Sequence, residues 1–211
     1  MSDFIMNEDQ APLERRADEL RSDLLAADNH QLAFVTDTTF HEESPNQGFF
    51  EFLFWGKPVL LPGENFIAKD PESDQALPPI HQAMILYYFF SSKGSPPAGG
   101  WISFSELADG QFYNAAFQGY TSKKLLQYFN SDYQAFEERC LALCGEKTSF
   151  GEGAFRFQIL PRIAILAVYW RGDDEFPPSY KILFEDTVDY HLPTDACAIL
   201  ASMLTGKLTA E

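Results

Sequence analysis

Positive charge is scarce in this chain of 211 residues. Fifteen Lys and Arg stand against 31 Asp and Glu, which leaves a formal net charge of −16. The longest basic runs are the doublets Arg15-Arg16 and Lys123-Lys124. Nucleic acids and anionic membrane surfaces are bound through Lys and Arg. We therefore expect neither a nucleic-acid partner nor a membrane partner.

Cysteine and long hydrophobic runs are also scarce. Three cysteines are an odd number in a chain long enough to fold without disulfides, which is typical of a reducing compartment. The longest apolar runs, residues 83–90 and 163–170, are far shorter than the roughly 20 residues that span a bilayer. The N-terminal residues are acidic where an export signal would be basic. Together these absences predict a cytoplasmic protein.

The chain is rich instead in hydrophobic and aromatic residues, which make up 45% and 15% of it and include 20 Phe. This composition is typical of a globular protein and excludes an intrinsically disordered chain. The sequence contains no internal repeat and no low-complexity linker. We expect one domain over residues 1–211, with a disordered tail over residues 1–11.

Periodic patterns predict both helices and strands. Helical spacing of apolar residues predicts a buried helix over residues 80–91 and helices that begin at Pro12, Ser131 and Pro193. Ser131 is expected to cap its helix and Gly145 to end it.

Strands are expected in two groups. Residues 49–55 and 58–61 predict a β-hairpin with a turn at Gly56-Lys57. A three-strand meander is predicted over residues 155–159, 163–170 and 180–184. Because the strands are grouped and do not alternate singly with helices, the predicted fold class is α+β, with an antiparallel sheet packed with several helices.

Three segments in the second half of the chain resemble a known family. They are Phe157-Gln-Ile-Leu-Pro-Arg162, Val168-Tyr-Trp-Arg-Gly-Asp-Asp-Glu-Phe-Pro177 and Ile182-Leu-Phe-Glu-Asp186. They are similar to the Leu-Pro-Arg turn, the Trp-x-Gly-Asp-Glu-Glu-Phe-Pro loop and the Ile-Leu-Phe-Asp strand of a bacterial and archaeal domain of unknown function. The similarity extends upstream to about Phe34.

The resemblance implies an anaerobic setting, because that family occurs largely in anaerobes and some members carry an added iron–sulfur module. It thereby implies a role accessory to anaerobic redox or corrinoid metabolism. This chain differs in having Asp174 where Glu is common and in lacking a cysteine-rich extension. An iron–sulfur module needs four closely spaced cysteines, so we expect no cluster in this chain, and no other cofactor is indicated.

The acidic loop Asp173-Asp174-Glu175 is the most suggestive chemical feature. Hard cations such as Mg²⁺ or Ca²⁺ require several oxygen ligands, and two carboxylates in different environments can divide acid and base roles. A solvated turn at Gly172-Asp173 explains the same residues, and their spacing matches no metal loop. The turn is therefore the favoured interpretation.

Aromatic residues beside polar ones suggest a second kind of site. Trp170 precedes the acidic loop, and Trp101 leads from a Gly-rich loop towards Glu106 and Tyr113. Such residues could line a pocket for a flat ligand whose carboxylate binds Arg162 or Lys57. Core packing is the alternative, because alternating strands need large side chains to bury.

The cysteines offer a third possibility. Cys140 and Cys144 are four residues apart on one predicted helix face, and with Cys197 and a histidine they could bind zinc. Packing of both in the core is the favoured interpretation, because free cysteine is among the most buried residues. We therefore expect no metal.

Two functions follow from these features. The preferred one is a cytoplasmic module that binds a small molecule or a protein partner through Trp101, Glu106, Tyr113, Arg162, Trp170, Asp173, Asp174 and Glu175. The alternative is a metal-assisted or acid/base enzyme that uses Asp173, Asp174 and Glu175. The sequence leaves the ligand and the oligomeric state open.

Overall fold

The computed structural model describes residues 11–45 and 47–210, with side chains from Glu14 onwards. These residues form two compact units. The first consists of the residues up to Leu53 and of Lys57–Ser95, and the second consists of Phe54–Gly56 and of the residues from Pro96 onwards. Of the expected tail, residues 1–10 lie outside the described residues, and Ala11 begins the first helix. The single domain stays a prediction.

The first unit combines helices with a three-stranded sheet. Its elements are α1 (Ala11–Leu24), α2 (Asn29–Thr36), β1 (Thr39–Ser44), β2 (Gln47–Phe54), β3 (Lys57–Pro62) and α3 (Pro79–Ser91), with strand order β1-β2-β3. β2 alternates, so that Phe50 and Phe52 are buried while Glu51 is exposed. The ring of Phe50 meets Phe89 of α3 at 5.0 Å between centroids. The buried helix and the hairpin predicted from the sequence are confirmed.

The hairpin turn lies one residue earlier than the sequence suggested. Trp55 and Gly56 occupy the turn, with φ angles of 54° and 71°. Two consecutive residues with positive φ are typical of a type I′ turn, whose twist matches that of the flanking strands. The prediction that Gly56-Lys57 forms the turn is therefore wrong. A type I′ turn requires a positive φ at both turn residues, and Trp55 and Gly56 have it whereas Lys57 does not.

The second unit is built on a five-stranded antiparallel sheet. Its elements are β4 (Trp101–Ser103), α4 (Gly110–Tyr120), α5 (Ser122–Phe129), α6 (Tyr133–Ala142), β5 (Glu146–Thr148), β6 (Gly153–Leu160), β7 (Ile163–Trp170), β8 (Ser179–Glu185) and α7 (Thr194–Leu208). The strand order is β4-β8-β7-β6-β5. The predicted meander β6-β7-β8 is confirmed, and the fold class is α+β with antiparallel sheets.

The two faces of this sheet are covered differently. Helices cover one face, where the ring of Phe136 in α6 lies 5.7 Å from Phe155 and 5.2 Å from Tyr180. On the other face, Ala154, Leu166, Val168 and Leu183 form an apolar cluster against which Trp101, Phe150 and Trp170 pack. β7 is therefore covered on both sides, and its residues from Ile163 to Tyr169 are all buried.

Helix α6 begins one residue later than predicted. Asp132, not Ser131, is its N-cap, and the carboxylate Oδ1 accepts the backbone N–H of Ala135 at 2.9 Å. A carboxylate at the N-cap satisfies an unpaired N–H group and carries a charge that favours the helix N-terminus. Among the described residues, no helix is both long and apolar enough to cross a membrane.

The central position of β7 predicts a large difference between two substitutions in the sheet. Ile165 is fully buried, so Ile165→Ala should lower the free energy of unfolding by about 2–5 kcal/mol. Arg156 on β6 forms a partly exposed ion pair with Glu146 at 3.3 Å, so Arg156→Ala should cost under about 1 kcal/mol. Urea denaturation of both variants measures the difference, and equal small losses would contradict the central assignment of β7.

Candidate functional site

Trp101 and Trp170 lie on the same face of the sheet but towards opposite ends of its strands, because Trp101 pairs with Glu185 at the end of β8 and Trp170 pairs with Ser179 at its start. Both pack against the apolar cluster on the face of the sheet that α6 does not cover. The indole Nε1 of Trp170 is buried and has no hydrogen-bond partner among the described residues. The centroids of the Trp170 and Phe150 rings are 6.4 Å apart. These two tryptophans therefore act mainly as packing residues in the structure.

The acidic loop is held closed by its own first carboxylate. Oδ1 of Asp173 accepts the backbone N–H groups of Phe176 at 2.8 Å and of Glu175 at 2.9 Å. The backbone N–H of Asp173 donates to the carbonyl oxygen of Phe176 at 2.8 Å. The hydrogen bond from Phe176, and then that from Glu175, lowers the pKa of the Asp173 carboxyl. Asp174 and Glu175 are exposed.

A cavity of about 460 Å³ opens beside this loop. It lies at the end of β7, where that strand runs into the loop, and α6 contributes the opposite wall. Its lining consists of Ser131, Tyr133, Tyr169, Arg171, Gly172, Asp173, Phe176, Pro177 and Pro178. Of the residues proposed from the sequence, Asp173 alone belongs to this lining. Trp170 points to the other face of the sheet, because successive side chains of a strand alternate.

Two tyrosine rings form the fixed wall of the cavity. The rings of Tyr133 and Tyr169 are 5.3 Å apart and tilted by 32°. The hydroxyl of Tyr169 donates to the carbonyl oxygen of Ser131 at 3.4 Å, and that of Tyr133 to Glu137 at 3.2 Å. A Cβ atom at Gly153 would clash with the Tyr133 ring, so this glycine permits the close approach. Both rings are therefore held by packing and by hydrogen bonds.

Arg171 supplies the positive charge at this cavity. Its backbone N–H is bound by the carboxylate of Glu152. Its guanidinium group forms no ion pair or hydrogen bond with any residue that the structure describes. Phe176, which is 66% exposed, lines the same cavity. An unpaired guanidinium beside aromatic rings can bind a carboxylate in a bidentate manner.

The other predicted site residues lie elsewhere. Glu106 accepts the N–H and hydroxyl of Ser103, both at 2.7 Å, and so caps a short 3-10 helix. Tyr113 is 66% exposed on α4. Arg162 precedes β7 and Trp170 ends it. Because a strand rises by about 3.3 Å per residue, the two residues are roughly 25 Å apart. The structure therefore places Arg162 and Trp170 at opposite ends of β7, and neither Glu106 nor Tyr113 belongs to the cavity lining.

Sequence reasoning missed Tyr133, Tyr169, Arg171 and Phe176. Tyr169 and Arg171 flank Trp170, and strand alternation from Trp170 would have placed Tyr169 on the opposite face. Tyr133 could not be found in this way, because α6 reaches the cavity only through the tertiary fold. The Trp-Arg-Gly-Asp segment contributes Arg171, Gly172 and Asp173 to the cavity lining, whereas Trp170 is not part of that lining.

The three cysteines differ in their surroundings. Cys140 and Cys197 are fully buried, and burial raises the pKa of both thiols far above the usual range. Cys144 is exposed, which contradicts the expectation that it packs in the core. α6 ends at Ala142, and Cys144 has a φ of 60°, so it lies beyond the helix face that Cys140 occupies. Within the described residues, no group of three or more His, Cys, Asp or Glu is arranged to hold a metal ion.

Comparison with known families finds a match over most of the chain. The family model described as "Domain of unknown function (DUF3786)" matches residues 30–207. No curated protein and no solved structure matches the chain. The matched region includes every residue of the cavity lining.

Thiol labelling tests the different surroundings of the cysteines. In native protein, iodoacetamide should modify Cys144 alone. The thiols of Cys140 and Cys197 are buried, so the reagent cannot reach them, and their raised pKa keeps them protonated and unreactive. Mass spectrometry should find one label per native chain and three after denaturation. Cys144→Ser is the control and should leave the native chain unlabelled; rapid native labelling of Cys140 would contradict the assignment.

The loop predicts opposite effects for its first two acids. Asp173→Ala should lower the melting temperature, because the N–H groups of Glu175 and Phe176 lose their acceptor. Asp174 is exposed, so Asp174→Ala should leave the melting temperature unchanged or slightly raised in a protein with net charge −16.

The effect of Asp173→Ala should depend on pH with a definite sign. A carboxyl whose pKa is lowered by folding stabilises the fold above its unfolded pKa of about 3.9. The difference in melting temperature between wild type and Asp173→Ala should therefore be constant above about pH 5 and shrink as the pH falls below about 4. A difference that grows on acidification would refute the role of the ionised carboxylate.

Proposed function

The chain belongs to the DUF3786 family, and we propose that it is a binding module for a small planar molecule that carries one anionic group. The observation that carries this proposal is the unpaired guanidinium of Arg171 beside the ring wall of Tyr133 and Tyr169. The cavity, at about 460 Å³, lies within the size range of small-molecule sites, roughly 300–1,000 Å³.

The aromatic wall favours a planar ligand. Rings that are already held by packing lose little freedom when a ligand ring stacks on them. Tyr133 meets this condition, since its hydroxyl is hydrogen-bonded and its ring contacts Tyr169, which is only 3% exposed and so supports the Tyr133 ring without offering a ligand much surface of its own. Phe176 is exposed at the cavity and can close over a ligand ring from the other side. Aromatic pairs of this kind add about 0.5–1.5 kcal/mol beyond their buried area.

The charges favour a single anionic group over a multiply charged one. Arg171 provides one unpaired positive charge, while Asp173 already uses Oδ1 for the N–H groups of its own loop. The net charge of −16 repels anions from the surface, and this repulsion increases with the charge of the ligand. An aromatic monocarboxylate therefore fits the site better than a polyphosphate.

The enzyme hypothesis has less support. A carboxylate pair that divides acid and base roles needs two different environments. Asp174 and Glu175 share the same exposed environment, and Asp173 is bound to backbone N–H groups. The resemblance described above supports placing the binding module beside anaerobic redox or corrinoid metabolism, as an accessory protein.

Thermal shift with defined probes tests the proposal. Indole-3-carboxylate and 2-naphthoate should raise the melting temperature, because they bind only the folded state. Their uncharged amides should give much smaller shifts, since the anionic group is lost. The hydrogen bonds of a charged pair contribute about 1.5–3 kcal/mol, so Arg171→Gln should weaken carboxylate binding by about tenfold or more.

Arg162→Gln is the matched control, because this arginine lies at the opposite end of β7. It should keep the full carboxylate shift, as should Asp174→Asn and Glu175→Gln. If Arg162→Gln abolished the shift while Arg171→Gln retained it, the site would lie elsewhere. If no carboxylate shifted the wild-type protein, the cavity would not be a site for this class of ligand.

A further inference from the structure

Helix α4 carries no charged residue, although 22% of the chain is charged. Its sequence is Gly-Gln-Phe-Tyr-Asn-Ala-Ala-Phe-Gln-Gly-Tyr. Phe117 is its buried anchor, and the ring stacks on Phe104 at 4.1 Å between centroids. Phe112 and Tyr113 point outward and are 84% and 66% exposed. The helix therefore presents two large aromatic side chains to solvent without any charge beside them on the same helix.

Small residues accompany these aromatic side chains. Ala115, Ala116 and Gly119 are exposed on α4. A Cβ atom at Gly119 would meet no atom within 4 Å, so no described neighbour requires a glycine there. Glycine within a helix costs about 1 kcal/mol relative to alanine. Its presence at an open position allows another chain to approach the helix backbone closely.

Charge distinguishes this surface from the rest of the molecule. Residues 110–131 contain no Asp or Glu, although the whole chain has 31 of them. The only charged side chains in that stretch are Lys123 and Lys124, at the start of α5. Neither lysine forms an ion pair or a hydrogen bond with the residues that the structure describes. Helices α4 and α5 thus carry two positive charges and no negative one in a protein with net charge −16, and the nearest acids in sequence are Asp109 and Asp132, just outside the two helices.

We propose that the α4–α5 surface, formed by Phe112, Tyr113, Ala116, Gly119, Lys123 and Lys124, docks an acidic amphipathic segment of a partner protein. Apolar side chains of that segment pack on Phe112 and Tyr113, and its carboxylates meet the two lysines. Two exposed aromatic side chains offer about 300 Å² of surface, well below the roughly 800 Å² per partner of a stable complex. The interaction is therefore transient.

Charge complementarity favours this partner over the other candidates. A second copy would bring the two lysine pairs towards each other in a symmetric α4 contact, between chains that each carry a net charge of −16. An anionic membrane would bind the lysine doublet but repel the rest of the chain. An acidic peptide segment is attracted locally and brings little further charge against the acidic surface.

Fluorescence anisotropy with defined peptides tests the docking surface. The probe is a labelled helical peptide with Leu at heptad spacing and Glu at the flanking positions; the comparison peptides are its scrambled form and its Lys-for-Glu counterpart. The acidic amphipathic peptide should bind the full-length protein at least tenfold more tightly than either comparison peptide. Equal binding of all three peptides, or no binding of the acidic peptide, would overturn the proposal.

Substitutions then assign the binding to this surface. The double variants Phe112→Ala/Tyr113→Ala and Lys123→Glu/Lys124→Glu should each weaken peptide binding at least tenfold. Phe34→Ala is the matched control, because Phe34 is 71% exposed and lies on α2, outside both α4 and α5, and this variant should bind the peptide as wild type does. Circular dichroism melts should show that the variants remain folded. Unchanged binding in both double variants would overturn the assignment.

Two further measurements address the other occupants. Light scattering should find that the Phe112→Ala/Tyr113→Ala variant has the same oligomeric state as wild type. A wild-type dimer lost in that variant would overturn the proposal in favour of a second copy. Co-sedimentation with phosphatidylglycerol vesicles should leave the protein in the supernatant; sedimentation that requires Phe112 and Lys123 would overturn it in favour of a membrane surface.

Discussion

Burial of β7 on both faces is the constraint on which the second unit depends. All residues from Ile163 to Tyr169 are buried, so each face of this strand needs a covering layer. Aromatic residues of α6 cover one face through Phe136, and the Trp101, Phe150 and Trp170 side chains cover the other. Because adjacent side chains alternate, the strand directs Tyr169 and Trp170 to different layers. For this reason Tyr169, and not Trp170, lines the cavity beside the acidic loop.

The cavity lies where β7 ends and the chain turns into the acidic loop. Tyr169 is the last side chain on the helical face, and Tyr133 packs against it from α6. Beyond Trp170 the backbone turns, and the Asp173 carboxylate holds that turn through the N–H groups of Glu175 and Phe176. Asp173 thus has a structural function in the turn, and its exposed carboxylate lines the cavity together with the Arg171 guanidinium and the aromatic rings.

Much of the fold was predictable because its main elements have strong local patterns. β7 is a continuous apolar run, and α3 is apolar over three turns. The edge strands β1, β4 and β5 were missed, since β1 is polar and largely exposed and the other two have three residues each. The candidate site was only partly predictable. Its loop carries a recognisable motif, whereas the wall formed by Tyr133 depends on a packing contact between residues far apart in sequence.

The unpaired cations of the second unit are informative because acidic partners are so abundant. Exposed ion pairs contribute little to stability, about 0–1 kcal/mol, so folding gains almost nothing from the position of an isolated surface lysine or arginine. In a chain with 31 acidic residues, a basic side chain has many possible partners. Arg171, Lys123, Lys124 and Lys181 nevertheless lack them among the described residues, and Arg171 lines a cavity together with the exposed Phe176. Cations kept apart from intramolecular acids keep their hydrogen-bond donors for molecules outside the chain, which favours recognition as the role of both surfaces.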